Sequence, residues 1–392
     1  MRHYLVLLCV GGGGTSILRR ESSVSLFTFH ETNFGQVQEV IKNIYDSSGA
    51  TRLSYRKSNG RTVTMTEKIL TTYPPPITTY LHHAYCLSLI NLDTESKFYP
   101  WFIHNYILIS SPKDLSTNRD SHTEFIVHYG DLMEIHTITW DIINKWSGGV
   151  IEFLQHCINT NNYIQLVVNE RYIPGSEAYL KEDYDHNILV YGYNSEKETF
   201  NIKHMKNRFF SESLVTYEQI ATAFENLAGT FVWSQTNTIY QLNDCGINFD
   251  LKRTIQSLKD YHESTWFENN SDEIIGIEVY SEVVNYFINL LHGQTSSDIR
   301  ILHFLWEHKK CMRARVRYLL DNGFLQSENL YSNILELEKK LLVLRNLQLK
   351  YEITQDKGII ERIIAEITII KQKEVEVFKL VLEELNIHHD EK

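Results

Sequence analysis

The sequence predicts an α+β fold, a mixed half of strands and helices followed by an all-helical half. Three observations carry that expectation. Runs of β-branched and aromatic residues bounded by turn residues occur before about residue 246. Beyond that point, apolar residues recur at steps of three and four. The six prolines, at 74, 75, 76, 100, 112 and 174, all precede the change, so none interrupts a helix after Pro174.

Residues 1–64 read as a weakly defined N-terminal extension, with an apolar strand at 4–10, a second at 24–29 and a helix at 36–45. The run Gly11 to Gly14 lacks the third spaced glycine of a dinucleotide fingerprint and the lysine of a phosphate loop, so it reads as a flexible turn. Met65 opens MTEKILTTYPPPITTY like a start of its own, which makes the extension an expected appendage.

Residues 65–245 form the expected mixed domain. Segments 103–109 and 125–129 read as strands, 142–159 as an amphipathic helix and 163–169 (YIQLVVN) as a buried strand. A loop with Pro174-Gly175 leads to a hairpin, with strands at 187–193 and 199–202 joined by the polar 194–198. Segment 213–227 returns to helical spacing.

Residues 246–392 form the expected helical domain, with helices at 248–264, 277–292, 299–321, 328–351 and 358–386 and Gly293, Gly323 and Gly358 near their boundaries. Leu330, Ile334, Leu337, Leu341 and Leu344 make one stripe. Ile360, Ile363, Ile367, Ile370, Val377 and Val381 make another, broken by Glu374. Two such faces joined by a short link predict an antiparallel helical hairpin; an exposed stripe would instead call for a partner helix or a homodimer.

Composition narrows the function. With 38 Lys and Arg against 49 Asp and Glu, the net charge of −11 argues against a general nucleic-acid binder. The content of Tyr, Phe and Trp argues against low-complexity disorder. No run reaches the roughly 18–20 apolar residues of a membrane span, and the apolar start lacks a cleavage site, so a soluble cytoplasmic protein is expected. The five cysteines, Cys9, Cys86, Cys157, Cys245 and Cys311, contain no C-x-x-C pair, which supports neither a disulfide framework nor a thiolate zinc site. His82-His83 and His388-His389 are adjacent pairs, expected to diverge rather than meet on one ion, so neither metal nor cofactor is expected.

The chemistry-bearing candidates are few. His186, in Asp185-His186-Asn187 at the mouth of a hairpin strand, suits a general base. Cys86, in His82-His83-Ala84-Tyr85-Cys86, lies upstream of it, the chain order of papain-type thiol enzymes. A thiol beside histidine ionises near neutrality and attacks thioesters; the alternative is a buried, inert cysteine. In the third helix Lys309, Arg313 and Arg317 follow at steps of four, a basic ridge suited to an acidic carrier-protein helix or a phosphopantetheine arm, or else a solvated flank.

The stretch YIQLVVNERYIPGSEAYLKEDYDHNILVYGYN, with the strand and helix after it, resembles proteins encoded beside nonribosomal peptide and polyketide synthases in bacilli. Those are similar to the N-terminal domain of butirosin biosynthesis protein H. Glu307 to Met312 and the run RVRYLL at 315–320 resemble the same group, so the likeness spans 65 to about 325. It implies a papain-like domain that moves an acyl or peptidyl group from a carrier-protein thioester, or a leader-type peptidase. It also implies Cys86 as nucleophile, His186 as base and Asn201, or else Asn194, as the orienting group. Papain-like nucleophiles begin a long helix, whereas Cys86 is followed by LSLINLDTES. The rival expectation is a catalytically silent binding protein of the same fold that docks a carrier domain or its product.

Overall fold

The computed structural model describes residues 66–115, 122–229, 231–243, 245–265 and 273–390. The elements expected within 1–64, and the glycine run, lie outside these residues. The described residues from Glu67 onward form one compact unit.

The mixed half is organised by a seven-stranded antiparallel sheet in the order β4-β9-β5-β6-β7-β8, with β1 also paired to β6. Its strands are β1 (Glu67–Ile69), β4 (Met133–Thr139), β5 (Tyr163–Asn169), β6 (Asp185–Asn194), β7 (Thr199–Lys206), β8 (Phe209–Thr216) and β9 (Thr236–Leu242). A three-stranded sheet joins β2 (Ile109–Pro112) to β3 (Glu124–Phe125) and β10 (Glu273–Ile275). The hairpin expected at 187–202 is β6 and β7, and the buried strand at 163–169 is β5.

Helix α1 spans Leu81–Ser88 and α2 spans Tyr99–His104. The latter takes the first two residues of the segment expected to be a strand at 103–109. Tyr106, at φ 54, ends the helix, and only then does the chain extend into β2. The helix expected over 142–159 is two, α3 (Trp140–Asn144) and α4 (Gly149–Asn159), because Gly148 and Gly149 both take positive φ and break the spiral between them. Helix α4 buries Val150, Phe153, Leu154, Cys157 and Ile158 on one face. Helix α5 (Tyr217–Glu225) starts later than expected, at a capping box between Thr216 and Gln219, and the preceding residues are β8.

The C-terminal half matches the expected helices: α6 (Leu251–Glu263), α7 (Val279–Leu291), α8 (Arg300–Asp321), α9 (Glu328–Thr354) and α10 (Lys357–Asp390). The short β10 departs from the all-helical expectation. Helices α9 and α10 form the hairpin, turning at Gln355, which takes φ 54. Every residue of both apolar stripes is buried within the chain. The boundary expected at 245/246 does not separate the halves. His308 Nε2 meets the Ile107 carbonyl at 2.9 Å, and Arg315 donates to the Ile103 carbonyl at 2.6 Å and to that of Asn105. Glu307 accepts from the backbone N–H groups of Thr78 and Thr79 at 2.7 and 3.1 Å. Among the described residues, no helix is long and apolar enough to cross a membrane.

Candidate functional site

Strand register decides which predicted site residues meet. Cross-strand partners share a face of the sheet, and successive residues along a strand take opposite faces. Gln165 pairs with Leu189, Leu189 with Lys203 and Lys203 with Glu212, so these four share one face. His186 pairs with Val168, three residues along β5 from Gln165, and therefore projects from the other face.

Cys86 belongs to the Gln165 face. It lies in the second turn of α1, hydrogen-bonded to Tyr240 and Tyr129. The Tyr240 hydroxyl in turn donates to Gln165 Oε1 at 2.5 Å. The sulfur's residue is 3% exposed. Burial pushes the thiol up to about 12, against the weaker pull of the Tyr240 and Tyr129 hydrogen bonds. Asn201 pairs with Gly192, six residues along β6 from His186, or about 18–20 Å. Its side chain serves the Tyr191 hydroxyl. Asn194 accepts the Lys197 N–H at 2.9 Å and closes the β6–β7 turn. The structure thus brings neither Cys86 nor either asparagine to His186.

His186 is oriented instead by Glu170. Its Nδ1 lies 3.0 Å from Glu170 Oε1, a buried carboxylate in the short 3₁₀ turn Glu170–Tyr172 that follows β5. The pairing of Asn169 with Asp185 sets that distance, because it places the residues after β5 beside the first residues of β6. Asp185 accepts the Ala228 N–H at 2.8 Å. Beside the pair stands an aromatic ledge. The Tyr184 ring lies 5.7 Å from that of His186, Phe231 meets Tyr184 edge-on at 5.6 Å, and Trp233 stacks on Phe231 at 4.7 Å. Tyr184 and Trp233 are exposed.

A second cluster sits at the first turn of α1. His82 and His83, expected to diverge, both reach Glu124 of β3. His82 Nε2 lies 2.9 Å from Oε2, His83 Nε2 contacts Oε1, and His122 Nε2 lies 3.4 Å from Oε2. Neighbours on a helix differ by about 100°. A carboxylate arriving between them is therefore bracketed by both imidazoles, whose ring centres are 4.2 Å apart. Burial pushes the Glu124 carboxyl up, but hydrogen bonds from His122, His82 and His83 together hold it well below the usual carboxylate range. Burial likewise lowers His83, partly offset by its bond to Glu124. Arg300 is held by Asp298 at 2.6 Å.

The basic ridge does not form. Lys309 is wholly buried and bonded to Glu374, Arg313 pairs with Glu338, and Arg317 pairs with Asp321 and Glu328, the nearer at 2.6 Å. Of the flank read as solvated, Lys309 meets α10, while Arg313 and Arg317 reach α9 with their side chains half-buried. No family model and no curated protein matches the sequence.

Proposed function

We propose that the chain is a binding protein without a cysteine nucleophile, an accessory of secondary-metabolite assembly whose mixed half is papain-like. The observation that carries this reading is Cys86. A nucleophilic cysteine must be a thiolate near neutral pH and lie within hydrogen-bond reach of its base. Cys86 is buried, its thiol is pushed up to about 12, and it lies across the sheet from His186. At the start of α1, where a papain-like arrangement would put the nucleophile, this chain has His82 and His83.

What faces solvent is a recognition surface. The ledge of Tyr184, Phe231 and Trp233 offers flat apolar area at small entropic cost, and the His186–Glu170 pair offers one polar contact at its edge. That combination suits an acylated pantetheine arm, the form in which a carrier protein presents its cargo. With the Lys309, Arg313 and Arg317 ridge neutralised, recognition rests on the arm rather than on a basic docking face. Calorimetric titration of the full chain with an acyl-pantetheine tests this. Saturable binding is expected, unchanged in C86A and weakened about tenfold or more in W233A. Absence of binding, equal binding by W233A, or an acyl adduct on Cys86 would overturn it.

A further inference from the structure

We propose that His82, His83 and Glu124 form a binding site for a divalent transition metal, zinc by its ligand chemistry, with His122 as the fourth donor. The site does not depend on the pantetheine reading. The donor atoms of His82, His83 and Glu124 all lie within 4.8 Å of one another. Three imidazole Nε2 atoms gather around the single Glu124 carboxylate. That convergence of nitrogen donors on one carboxylate is the arrangement that a shared cation holds. Imidazole nitrogen with carboxylate oxygen is a donor set that zinc accepts in four-coordinate sites.

The donors of His82, His83 and Glu124 draw closer together on the ion, and His122, which is not among those within 4.8 Å of one another, turns in to join them. Bonds of about 2.0–2.1 Å in a tetrahedron place ligand atoms about 3.3 Å apart. His122 Nε2 is already 3.4 Å from Glu124 Oε2, and His82 Nε2, at 2.9 Å, opens by a few tenths of an ångström.

The outer shell is built as well. His83 Nδ1 lies 2.7 Å from the Tyr129 hydroxyl, which lies 2.8 Å from that of Tyr106, and the His83 ring packs edge-on against Phe125 at 5.4 Å. With the ring proton on Nδ1 facing Tyr129, the Nε2 lone pair of His83 faces the ion. Glu124 Oε1 also accepts the Phe125 N–H at 2.7 Å, which fixes the carboxylate plane. The opposite side is open: the side chains of His82, His122 and Glu124 are 46%, 36% and 30% exposed, so an ion reaches the site without unfolding. Bound there, it would tie the first turn of α1 to β3.

The test uses the full chain without a histidine tag, stripped with chelator and titrated with zinc chloride by calorimetry, then desalted for metal analysis. One zinc per chain is expected, with a Kd of about 1 μM or tighter, and cobalt(II) should give the visible bands of a four-coordinate nitrogen and oxygen site. H82A alters an exposed group and E124Q a half-buried one, and circular dichroism checks their folding. Each should weaken zinc binding about a hundredfold, and H122A about tenfold. No retained zinc in the wild-type chain, or equal zinc binding by folded H82A and E124Q, overturns the proposal.

Discussion

Glu374 interrupts the apolar stripe of α10, and Lys309 of α8 is itself wholly buried. Each is the other's partner. Both are wholly buried, and the Glu374 carboxylate also accepts from the Tyr261 and Tyr280 hydroxyls at 2.6 and 2.7 Å. Replacing Glu374 by Gln keeps the shape and removes the charge. Lys309 then retains the Tyr261 hydroxyl at 3.2 Å and no counter-ion.

It escapes by losing its proton, which at pH 7 costs the gap to an ordinary lysine near 10.4, about 4.6 kcal/mol. That ceiling agrees with the roughly 3–5 kcal/mol lost when one member of a buried pair is removed. Burial already lowers Lys309 below its ordinary value, against the opposing pull of Glu374. The unfolded chain therefore binds more protons in the window between the lowered value and about 10.4, so stability rises with pH there. In E374Q the penalty should shrink by up to about 1.4 kcal/mol per unit as pH rises from 7 towards 10. Urea unfolding followed by circular dichroism at pH 7, 8 and 9 measures it. A loss below about 1 kcal/mol at pH 7, or one that does not change with pH, would refute the reasoning.

Two further outcomes follow from buried polar groups. Arg315 has its guanidinium on the carbonyls of Ile103 and Asn105, so R315M leaves two dry acceptors and should cost about 3 kcal/mol or more in urea unfolding, with R315K recovering less than half. His104 and His204 are each pulled down to about 4, first by burial, so both stay neutral in the folded chain while the unfolded chain protonates below about 6.5. Stability is fully present above that pH and should fall by up to about 3 kcal/mol per histidine as pH drops towards 4, and H204N should remove one of the two contributions.

The helical half was legible because its apolar residues keep one period over long segments, and Glu374 was visible as a break in it, whereas Lys309 read as part of a basic flank. The strands β4 and β9 were not. The middle of Met133–Thr139 is exposed, so it carries no apolar run, and its pairing with Thr236–Leu242 spans about a hundred residues of chain. Residues 101–110 are apolar almost throughout, and periodicity does not divide such a run into a helix and a strand; the left-handed Tyr106 does. At the site, His186 was recognisable from its place at a strand mouth. Glu170 was not, because only the β5–β6 register carries it there across the intervening loop. His82 and His83 acquire meaning only from Glu124, about forty residues on, and an isolated cysteine gives no sign of whether it is buried.

Alkylation of the folded chain with iodoacetamide at pH 7, read site by site by mass spectrometry, bears most directly on the proposal that Cys86 is not a nucleophile. Cys245 is exposed, whereas Cys86 is buried with its thiol pushed up to about 12. Cys245 should be labelled while Cys86 stays unmodified until denaturant is added. Labelling of Cys86 in the folded chain faster than Cys245 would contradict the account and restore Cys86 as a nucleophile.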